Sequence, residues 1–299
     1  MSDECVGLQA GRSLAVIALR GAEWRRWHVG GADRLWTADP AWWTDVAPLL
    51  FPVVGWTRGG VIRVAGSPYP LGLHGFARTL RFAVDARDQA SVRLVAQDDE
   101  TTRRAYPFAF GLAVTLSLDE WSVSLSAEVT NRSAGPMPYG FGFHPGFCWP
   151  FDGSRQHDYA VQFEAAEEPT VPRIAPGGLF SAHRRKVPLS GHTLPLSAGL
   201  FAREALCFLD ARSHGLRFLR RGGSAIRVAF EGCPALALWS RAGAPFLCVE
   251  GWQGYGDPED FAGDLAEKPG LAHLPPGQTA RHAMRVTFEP KPVTLDAHD

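Results

Sequence analysis

The sequence is poor in cysteine, in net charge and in long hydrophobic runs. Its five cysteines are odd in number, widely spaced and without any CxxC pair, which argues against a disulfide framework and a zinc knuckle. The formal net charge is −1, whereas nucleic-acid-binding domains usually carry a clustered basic excess. The single dense basic run, His183–Lys186, is interpreted as a solvated loop. No apolar stretch reaches membrane-spanning length, so neither a nucleic acid nor a membrane is expected as a partner.

Targeting and domain-boundary signals are scarce as well. The first residues, Met1–Cys5, contain no basic segment followed by an apolar one, which argues against a secretory signal. Together with the cysteine usage, this predicts a cytoplasmic protein. No Pro/Ser/Gly-rich linker or fixed-period repeat divides the chain. We therefore predict a single domain spanning residues 1–299, with 45% hydrophobic residues to build its core.

Helical patterns are rare because 32 glycines and 23 prolines are spread through the chain. Apolar residues instead alternate with period two at Leu112–Leu118 and again at Val123–Val129, on either side of Asp119–Glu120. This pattern predicts a hairpin of two half-buried strands. Similar alternation occurs at residues 14–18, 92–96, 226–230 and 284–288. Many short strands separated by turns predict an all-β sandwich or barrel, mostly antiparallel, with few short helices.

Two segments depart from this alternation. Residues Asp39–Leu50 are predicted to form a short helix, because Asp39 can cap it and Pro40 suits its first turn. The Gly177–Gly199 stretch is the loosest in the chain and is interpreted as a long loop or an edge hairpin.

Glu250 is the side chain that most strongly indicates chemistry. It follows the apolar run Pro245–Val249, which is typical of a buried strand, and precedes the glycine-rich aromatic stretch Gly251–Tyr255. A carboxylate at the end of a buried strand is costly unless it has a function or a partner. Desolvation should raise its pKa, which suits a general base working near neutral pH. The alternative is a structural carboxylate held by backbone N–H groups.

Two of the ten histidines have unusual surroundings. His144 lies in the aromatic run Tyr139–Phe147, where a satisfied core histidine and a general acid are both open interpretations. His74 lies between glycines that allow the backbone to approach a ligand, so a ligand contact and a turn cap are both open. Arg78 follows four residues later and is placed to face the same cleft. A phosphate contact and a structural ion pair are both open as the role of Arg78.

The remaining histidines have polar or turn-like surroundings, which predict surface positions. They are His28, His157, His183, His192, His214, His273, His282 and His298. No HxH, HExxH or i,i+4 histidine pair occurs, so no metal site is predicted.

Tryptophan is frequent, with ten copies. Aromatic rings pack well against the C–H faces of sugars, and neighbouring polar groups bind the hydroxyls. Trp252 follows Glu250 closely and is predicted to contact such a ligand. Core packing is preferred for a second group, Trp36, Trp42, Trp43 and Trp121.

Taken together, these segments resemble the aldose 1-epimerase (galactose mutarotase-like) family, and especially its LacX-like bacterial branch. The matching stretches follow the family's order along nearly the whole chain. They are Leu35–Pro40, Pro48–Pro52, His74–Arg78, Tyr106–Phe108, Gly142–Phe147, Trp239–Ser240, Cys248–Trp252, Glu267–Gly270 and Leu274–Gly277. Each stretch is a weak signal alone, and their order makes the resemblance specific.

The resemblance implies a galactose mutarotase-like β-supersandwich that interconverts the α and β anomers of an aldose, either free or phosphorylated. It assigns Glu250 as the base that takes the anomeric proton and His144 as the acid that protonates the ring oxygen. His74 is expected to bind sugar oxygens. The resemblance implies no metal or organic cofactor, and the chain is expected to act as a monomer or homodimer.

The sequence departs from the family pattern at the sugar site. Trp56 stands where family members usually have arginine, and Arg58 is expected to compensate, because a shift of two residues in a strand keeps the same face. Both are predicted to bind substrate, and Arg63 is a further candidate for a phosphate contact. Glu204 and Asp210 are both open as counterparts of the family's sugar-binding aspartate.

Two other functions are compatible with this scaffold. A non-catalytic sugar-binding or sensor protein is the main alternative, because a fold does not determine a function. A glycoside hydrolase is disfavoured, since hydrolysis usually needs two carboxylates and only Glu250 has a suitable context.

Overall fold

The computed structural model describes residues 4–290, whose regular secondary structure consists mostly of short strands. The first strands are β1 Cys5–Ala10, β2 Ser13–Ala18, β3 Trp24–Val29, β4 Ala32–Asp33, β5 Leu49–Leu50, β6 Val61–Val64, β7 Ser67–Pro70, β8 Ala83–Arg87 and β9 Ser91–Gln97. The middle strands are β10 Phe110–Leu118, β11 Ser122–Asn131, β12 Met137–Tyr139, β13 Phe141–Phe143, β14 Gly146–Cys148, β15 Tyr159–Phe163, β16 Thr170–Ile174, β17 Phe180–Lys186 and β18 Thr193–Pro195. The last strands are β19 Leu206–Phe208, β20 Gly215–Arg220, β21 Ala225–Glu231, β22 Ala235–Trp239, β23 Phe246–Gln253, β24 Ala272–Leu274 and β25 Thr279–Glu289.

Helical structure is limited to short pieces. The α-helix α1, Glu100–Ala105, is capped by Asp99, whose side chain accepts a hydrogen bond from the backbone N–H of Thr102. Single 3₁₀ turns lie at Arg58–Gly60, Ala77–Thr79, Gln156–Asp158, Ala198–Phe201 and Leu265–Glu267. None of the described helices is long and apolar enough to cross a membrane. The predicted all-β class with few short helices is confirmed.

The largest sheet has nine strands in the order β18-β15-β20-β21-β25-β11-β10-β9-β8. It contains the predicted hairpin, in which β10 and β11 run antiparallel with Val114 opposite Ala127. The other alternating segments are also confirmed as strands, namely β2, β9, β21 and β25. The inward residues of this sheet form one side of the main hydrophobic core.

A second sheet, of six strands, covers the other side of the core. Its order is β19-β22-β23-β13-β5, and β14 pairs with β23 as well. The rings of Phe143 and Phe230 lie 6.4 Å apart, and they join β13 to β21 of the large sheet. His282 on β25 packs between the layers and hydrogen bonds to the hydroxyl of Tyr139.

Strand β23 is buried on both faces. Leu247 and Val249 belong to the main core, whereas Cys248 and Trp252 belong to smaller clusters on the opposite face. Successive side chains of a strand point to opposite faces, so Glu250 shares the second face. This two-sided burial explains why the Pro245–Val249 run is uniformly apolar rather than alternating.

Three sequence-based expectations about local structure are wrong. Residues 39–48 form turns, bends and bridges and residues 49–50 form strand β5, instead of a helix, because Trp36, Trp42 and Trp43 pack together around Phe246. Asp39 does cap, but it caps a turn, where its Oδ1 accepts a hydrogen bond from the N–H of Ala41.

The other two errors concern basic and titratable side chains. His183–Lys186 is part of strand β17 rather than a loop. His282 is only 3% exposed, because it occupies an inward position of β25, whereas His157, His183, His192, His214 and His273 are exposed and His28 is half-buried. His298 lies outside the described residues. The loose Gly177–Gly199 stretch contributes β17, which pairs with β16, and the edge strand β18.

Close packing on the core face of β23 gives a stability prediction. A Cβ atom on Gly251 would lie 2.3 Å from Cδ1 of Phe230, so Gly251→Ala should lower the free energy of unfolding by about 1–3 kcal/mol through overpacking. Urea unfolding followed by circular dichroism measures this. Gly7→Ala is the matched strand control, since nothing lies within 4 Å of its Cβ position. Equal loss in both variants contradicts the packing argument.

Candidate active site

The second face of β23 forms the floor of a cleft that contains Glu250. Glu250 lies directly opposite Ala237 on β22, whose small side chain leaves space above the carboxyl group. On the other flank, β13 and β14 both pair with β23, and His144 and Pro145 form the link between them. The backbone N–H of Val249 donates to the carbonyl of Pro145 over 3.1 Å. This pairing brings His144 beside Glu250.

The two side chains are in direct contact. Nε2 of His144 lies 3.3 Å from Oε2 of Glu250, and the indole N–H of Trp252 donates to the same oxygen over 3.1 Å. Glu250 is 1% exposed and His144 is 7% exposed. Glu250 is therefore held by side-chain contacts rather than by the backbone N–H groups that a structural carboxylate would use.

Burial controls the protonation of this pair. Loss of solvent raises the pKa of Glu250 well above its ordinary value, and the hydrogen bond from Trp252 opposes this only in part. Burial also lowers the pKa of His144 to about 3. Both shifts favour the neutral forms, because a low-dielectric environment disfavours charge. Burial thus favours a protonated Glu250 beside a neutral His144.

His74 lies next to this pair with its ring perpendicular to that of His144, at a centroid distance of 5.5 Å. Its Nδ1 accepts a hydrogen bond from the backbone N–H of Gly55 over 3.0 Å. Burial, together with His144 and Arg78, holds the pKa of His74 well below the usual range. A neutral ring that accepts at Nδ1 carries its proton on Nε2, so His74 presents a fixed N–H donor. It both caps a turn and lines the cleft.

Aromatic rings surround His144. The ring of Trp43 is tilted by 30° against it at a centroid distance of 5.0 Å, and the ring of Trp239 meets it edge-on at 5.8 Å. The core role predicted for Trp43 is therefore incomplete, since Trp43 also lines the cleft. For Trp121 the same expectation is wrong, because 41% of it is exposed.

The cleft has a volume of about 510 Å³. Its aromatic lining consists of Trp43, Trp56, Trp239, Trp252 and Phe180, and its charged lining consists of Asp45, Arg78, Arg203, Glu204, Arg241 and Glu250. This volume lies within the range typical of small-molecule sites.

Trp56 forms part of the cleft wall, as predicted for a substrate contact, and is 41% exposed. Its indole lies against Gly178 of the β16–β17 hairpin, where a Cβ atom would be 1.9 Å from Cδ1 of the ring. The carbonyl of Trp56 accepts a hydrogen bond from the N–H of Asp257 over 2.8 Å. These contacts hold the ring at the cleft mouth.

The predicted arginines have different positions. Arg78 lines the cleft and forms an ion pair with Asp45, with Nη1 3.5 Å from Oδ2. Arg58 does not line the cleft, and its guanidinium donates to the carbonyl of Phe261 outside it. The expectation for Arg58 fails because residues 58–60 form a 3₁₀ turn rather than a strand, so the rule of two residues per face does not hold. Arg63, on β6, is also absent from the cleft lining.

Glu204 lines the cleft, whereas Asp210 does not. The Glu204 carboxylate is 2.6 Å from Nε of Arg185 and accepts a hydrogen bond from the N–H of Ile174 over 2.5 Å. Through these two contacts Glu204 links the β16–β17 hairpin to the cleft wall. Of the two candidates for the family's aspartate, only Glu204 is in position to meet a ligand.

Sequence reasoning missed three charged residues of the lining, Asp45, Arg203 and Arg241. Nothing in their local sequence distinguishes them from surface residues.

One group of ligand-type atoms also lies in the floor, because His144, Cys248 and Glu250 have donor atoms within 4.8 Å of one another. Metal binding requires deprotonated thiolate and carboxylate ligands. Burial raises the pKa of the Cys248 thiol and of the Glu250 carboxyl well above their ordinary ranges. Both shifts disfavour the deprotonated forms that a metal ion needs as ligands.

Comparison with known proteins agrees with this geometry. The sequence profile described as aldose 1-epimerase matches residues 4–287. Chromosomal protein LacX from Lactococcus lactis subsp. lactis is 31% identical over 270 residues, which cover 86% of this chain and 90% of LacX. The chain belongs to the aldose 1-epimerase family.

Solved structures of aldose 1-epimerase relatives show the same fold. A galactose mutarotase-related enzyme from Lactobacillus acidophilus has a TM-score of 0.89 and 27% identity, covering 96% of this chain and 98% of that one. A galactose mutarotase-like protein from Lactobacillus casei has the same TM-score and identity, covering 96% and 100%. The architecture is therefore a galactose mutarotase-like β-sandwich, as the sequence resemblance implied.

Within this aldose 1-epimerase fold, the buried carboxyl gives a pH-dependent stability prediction. Because the pKa of folded Glu250 is raised above 4.5, its ordinary value, the unfolded carboxyl ionises first as pH rises, and stability falls above that pH. Glu250→Gln removes this loss and should raise the melting temperature at pH 8 by at least about 2 °C.

Thermal unfolding at pH 8 and near pH 4.5 measures the effect, and the gain should vanish at the lower pH. Glu231→Gln is the control, since the Glu231 side chain is 74% exposed. The same melting-temperature difference between Glu250→Gln and wild type at both pH values contradicts the raised pKa.

Proposed function

We propose that the protein is an aldose 1-epimerase, an isomerase that interconverts the α and β anomers of an aldose by acid–base ring opening and closure. The observation that carries this proposal is the 3.3 Å contact between Nε2 of His144 and Oε2 of Glu250 in the cleft floor. A cyclic aldose has its anomeric hydroxyl and its ring oxygen on one carbon. Two adjacent proton-transfer groups therefore match the two oxygens that must exchange protons.

The proton movements follow from this arrangement. Glu250, as carboxylate, takes the proton of the anomeric hydroxyl, and the C1–O5 bond breaks with its electron pair remaining on O5. His144, as imidazolium, gives its proton to O5, so the sugar becomes the open-chain aldehyde. Rotation about the C1–C2 bond presents the other face of the carbonyl, and the reverse transfers close the ring as the opposite anomer. Each positioned group typically contributes about 10²- to 10⁴-fold.

One shared proton is sufficient for the whole cycle. The pair begins as carboxylate and imidazolium and ends ring opening as carboxylic acid and neutral imidazole. Burial favours this neutral state, as the directions of the two pKa shifts show. The site thus favours the protonation state that accompanies the open-chain sugar, which is otherwise the less stable form.

The surrounding residues support a sugar ligand. His74 offers a fixed Nε2–H donor for a sugar oxygen. The four tryptophans of the lining supply aromatic faces for the C–H surface of the ring. The solved relatives are described as galactose mutarotase-related and galactose mutarotase-like, which supports an aldose as the substrate class.

The activity itself is tested by following anomer relaxation. Wild type should accelerate the conversion of α-glucose or α-galactose beyond the spontaneous rate, while Glu250→Gln and His144→Asn should each lose at least about 100-fold in kcat, since each removes one proton-transfer group. Polarimetry or NMR measures the relaxation. Arg87→Gln, on the distant edge strand β8, is the control. A wild-type rate equal to the spontaneous rate across a broad sugar panel would favour the non-catalytic sugar-binding alternative.

The pH dependence tests the one-proton pair. As pH rises through the raised pKa of Glu250, the pair loses its shared proton and kcat/KM should fall. As pH falls, the pair gains a second proton, at His144, only near that group's pKa of about 3. Enzymatic activity should therefore persist below pH 4.5. The spontaneous rate is subtracted at each pH. An acid limb centred at or above 4.5, the ordinary glutamate value, would show that burial does not control the pair.

A further inference from the structure

A buried ion pair lies behind one wall of the cleft and takes no part in the proposed proton transfers. Nζ of Lys268 is 2.7 Å from Oδ1 of Asp257, and the two side chains are 1% and 6% exposed. Neither residue belongs to the cleft lining. Lys268 lies in the Glu267–Gly270 stretch that matched the family pattern, yet the chemistry at Glu250 gives this stretch no role.

Stability alone does not explain the pair. Burial lowers the pKa of Lys268, and the carboxylate of Asp257 opposes this shift. A buried ion pair usually contributes little net stability, because the cost of removing two charges from water offsets their attraction. In some proteins such a pair instead fixes one arrangement of the chain. The other contacts of Asp257 show which segments this pair fixes.

Asp257 holds the turn that carries Trp56. Its Oδ2 accepts a hydrogen bond from the backbone N–H of Arg58 over 2.8 Å, and its own N–H donates to the carbonyl of Trp56 over 2.8 Å. The ammonium group of Lys268 binds the other carboxylate oxygen. Lys268 therefore compensates the charge of Asp257 and orients its carboxylate toward Arg58.

The same residue holds the hairpin that packs against Trp56. The carbonyl of Asp257 accepts a hydrogen bond from the N–H of Phe180, the first residue of β17, over 2.9 Å. At the tip of the β16–β17 hairpin, Gly178 lies against the Trp56 indole. Asp257 thus connects two neighbouring parts of the cleft wall, since Trp56, Gly178 and Phe180 all line the cleft.

The other end of the Trp56 turn is anchored independently. The backbone N–H of Gly55 donates to Nδ1 of His74 over 3.0 Å, and the carbonyl of Gly55 accepts from the N–H of His74 over 2.9 Å. Loss of the Asp257 side chain would therefore release the turn at Arg58 and leave His74 bound to Gly55.

We propose that Asp257 is a positioning residue for substrate binding, which holds the Trp56 indole in place to stack on the sugar ring at the cleft mouth, with Lys268 compensating its buried charge. Asp257 acts through Trp56 and does not touch the sugar. The inference rests on the proposed function, because it concerns how the same cleft binds an aldose. It makes Trp56 a specificity-determining residue, since an indole face packs on the C–H surface of a sugar.

Two double variants separate positioning from stability. Asp257→Asn/Lys268→Met and Asp257→Ala/Lys268→Met both remove the two buried charges, so neither leaves an unpaired charge in the interior. An asparagine amide oxygen can still accept the hydrogen bond from the Arg58 N–H, whereas alanine has no acceptor. A difference between the two variants therefore reports how firmly the Trp56 turn is held.

The first measurement needs no ligand. In protein labelled with fluorotryptophan, the fluorine NMR signal of Trp56 is the one that Trp56→Phe removes. This signal should shift or broaden in Asp257→Ala/Lys268→Met, because the indole loses its single environment, and should stay at its wild-type position in Asp257→Asn/Lys268→Met. A signal that is unchanged in both variants, or equally changed in both, overturns the positioning role.

The second measurement is sugar binding. Galactose and glucose are titrated into each variant and followed through the NMR signals of the sugar, which does not depend on turnover. Asp257→Ala/Lys268→Met should bind about three- to tenfold more weakly than Asp257→Asn/Lys268→Met, as expected for the loss of one aromatic contact. KM should rise by the same factor with kcat little changed, because Glu250 and His144 keep their contact.

Asp98→Asn is the matched control. The Asp98 side chain is only 5% exposed, and one of its oxygens pairs with Arg103 while the other accepts a hydrogen bond from the backbone N–H of Phe110 over 2.8 Å. It has the same two kinds of partner as Asp257 but lies outside the cleft lining. Asp98→Asn should therefore leave sugar affinity and KM unchanged.

Trp56→Ala tests the route. In this background the two double variants should bind galactose equally, since Asp257 then has no ring to position, and a difference that persists overturns the proposal. If the predicted binding pattern is found but no anomer relaxation is accelerated, the positioning role stands and the epimerase proposal fails. If relaxation is accelerated and both double variants have the same KM, the epimerase stands and the positioning role fails.

Discussion

The burial of one carboxyl group against one imidazole is the constraint on which the rest of the structure depends. Glu250 and His144 touch in the floor of the cleft, and neither is compatible with a charged state there without its partner or a ligand. Excluding water from these two side chains requires both faces of β23 to be covered. The main core covers one face, and the aromatic cleft lining covers the other. The two-layer architecture supplies this cover.

Much of the fold could be predicted because half-buried strands have a two-residue period that needs no tertiary information. The hairpin β10–β11 and strands β2, β9, β21 and β25 follow it directly. The helix expected at Asp39–Leu50 failed because capping residues are also turn residues, and tertiary packing of Trp42 and Trp43 decided between the two. The expectation that Arg58 shares a strand face with Trp56 failed, because a 3₁₀ turn interrupts the extended chain at Arg58.

The candidate site was only partly accessible from sequence. Glu250 was identified on physical grounds, as a carboxylate ending an apolar run, whereas His144 was assigned through the family resemblance. Their contact depends on how β13 and β14 pair with β23, more than 100 residues away, and such pairings leave no local signal. Residues that are adjacent only through sheet register escape motif-based reasoning.

The alternation along β23 has a consequence for how such proteins diversify. Leu247, Val249 and Gly251 pack against the core, while Glu250 and Trp252, on the opposite face, line the cleft. One strand thus carries two interleaved sets of positions, and a substitution in one set leaves the packing of the other nearly untouched. A lineage can change its ligand by altering every second residue of this strand, and it can do so without rebuilding the sandwich that supports it.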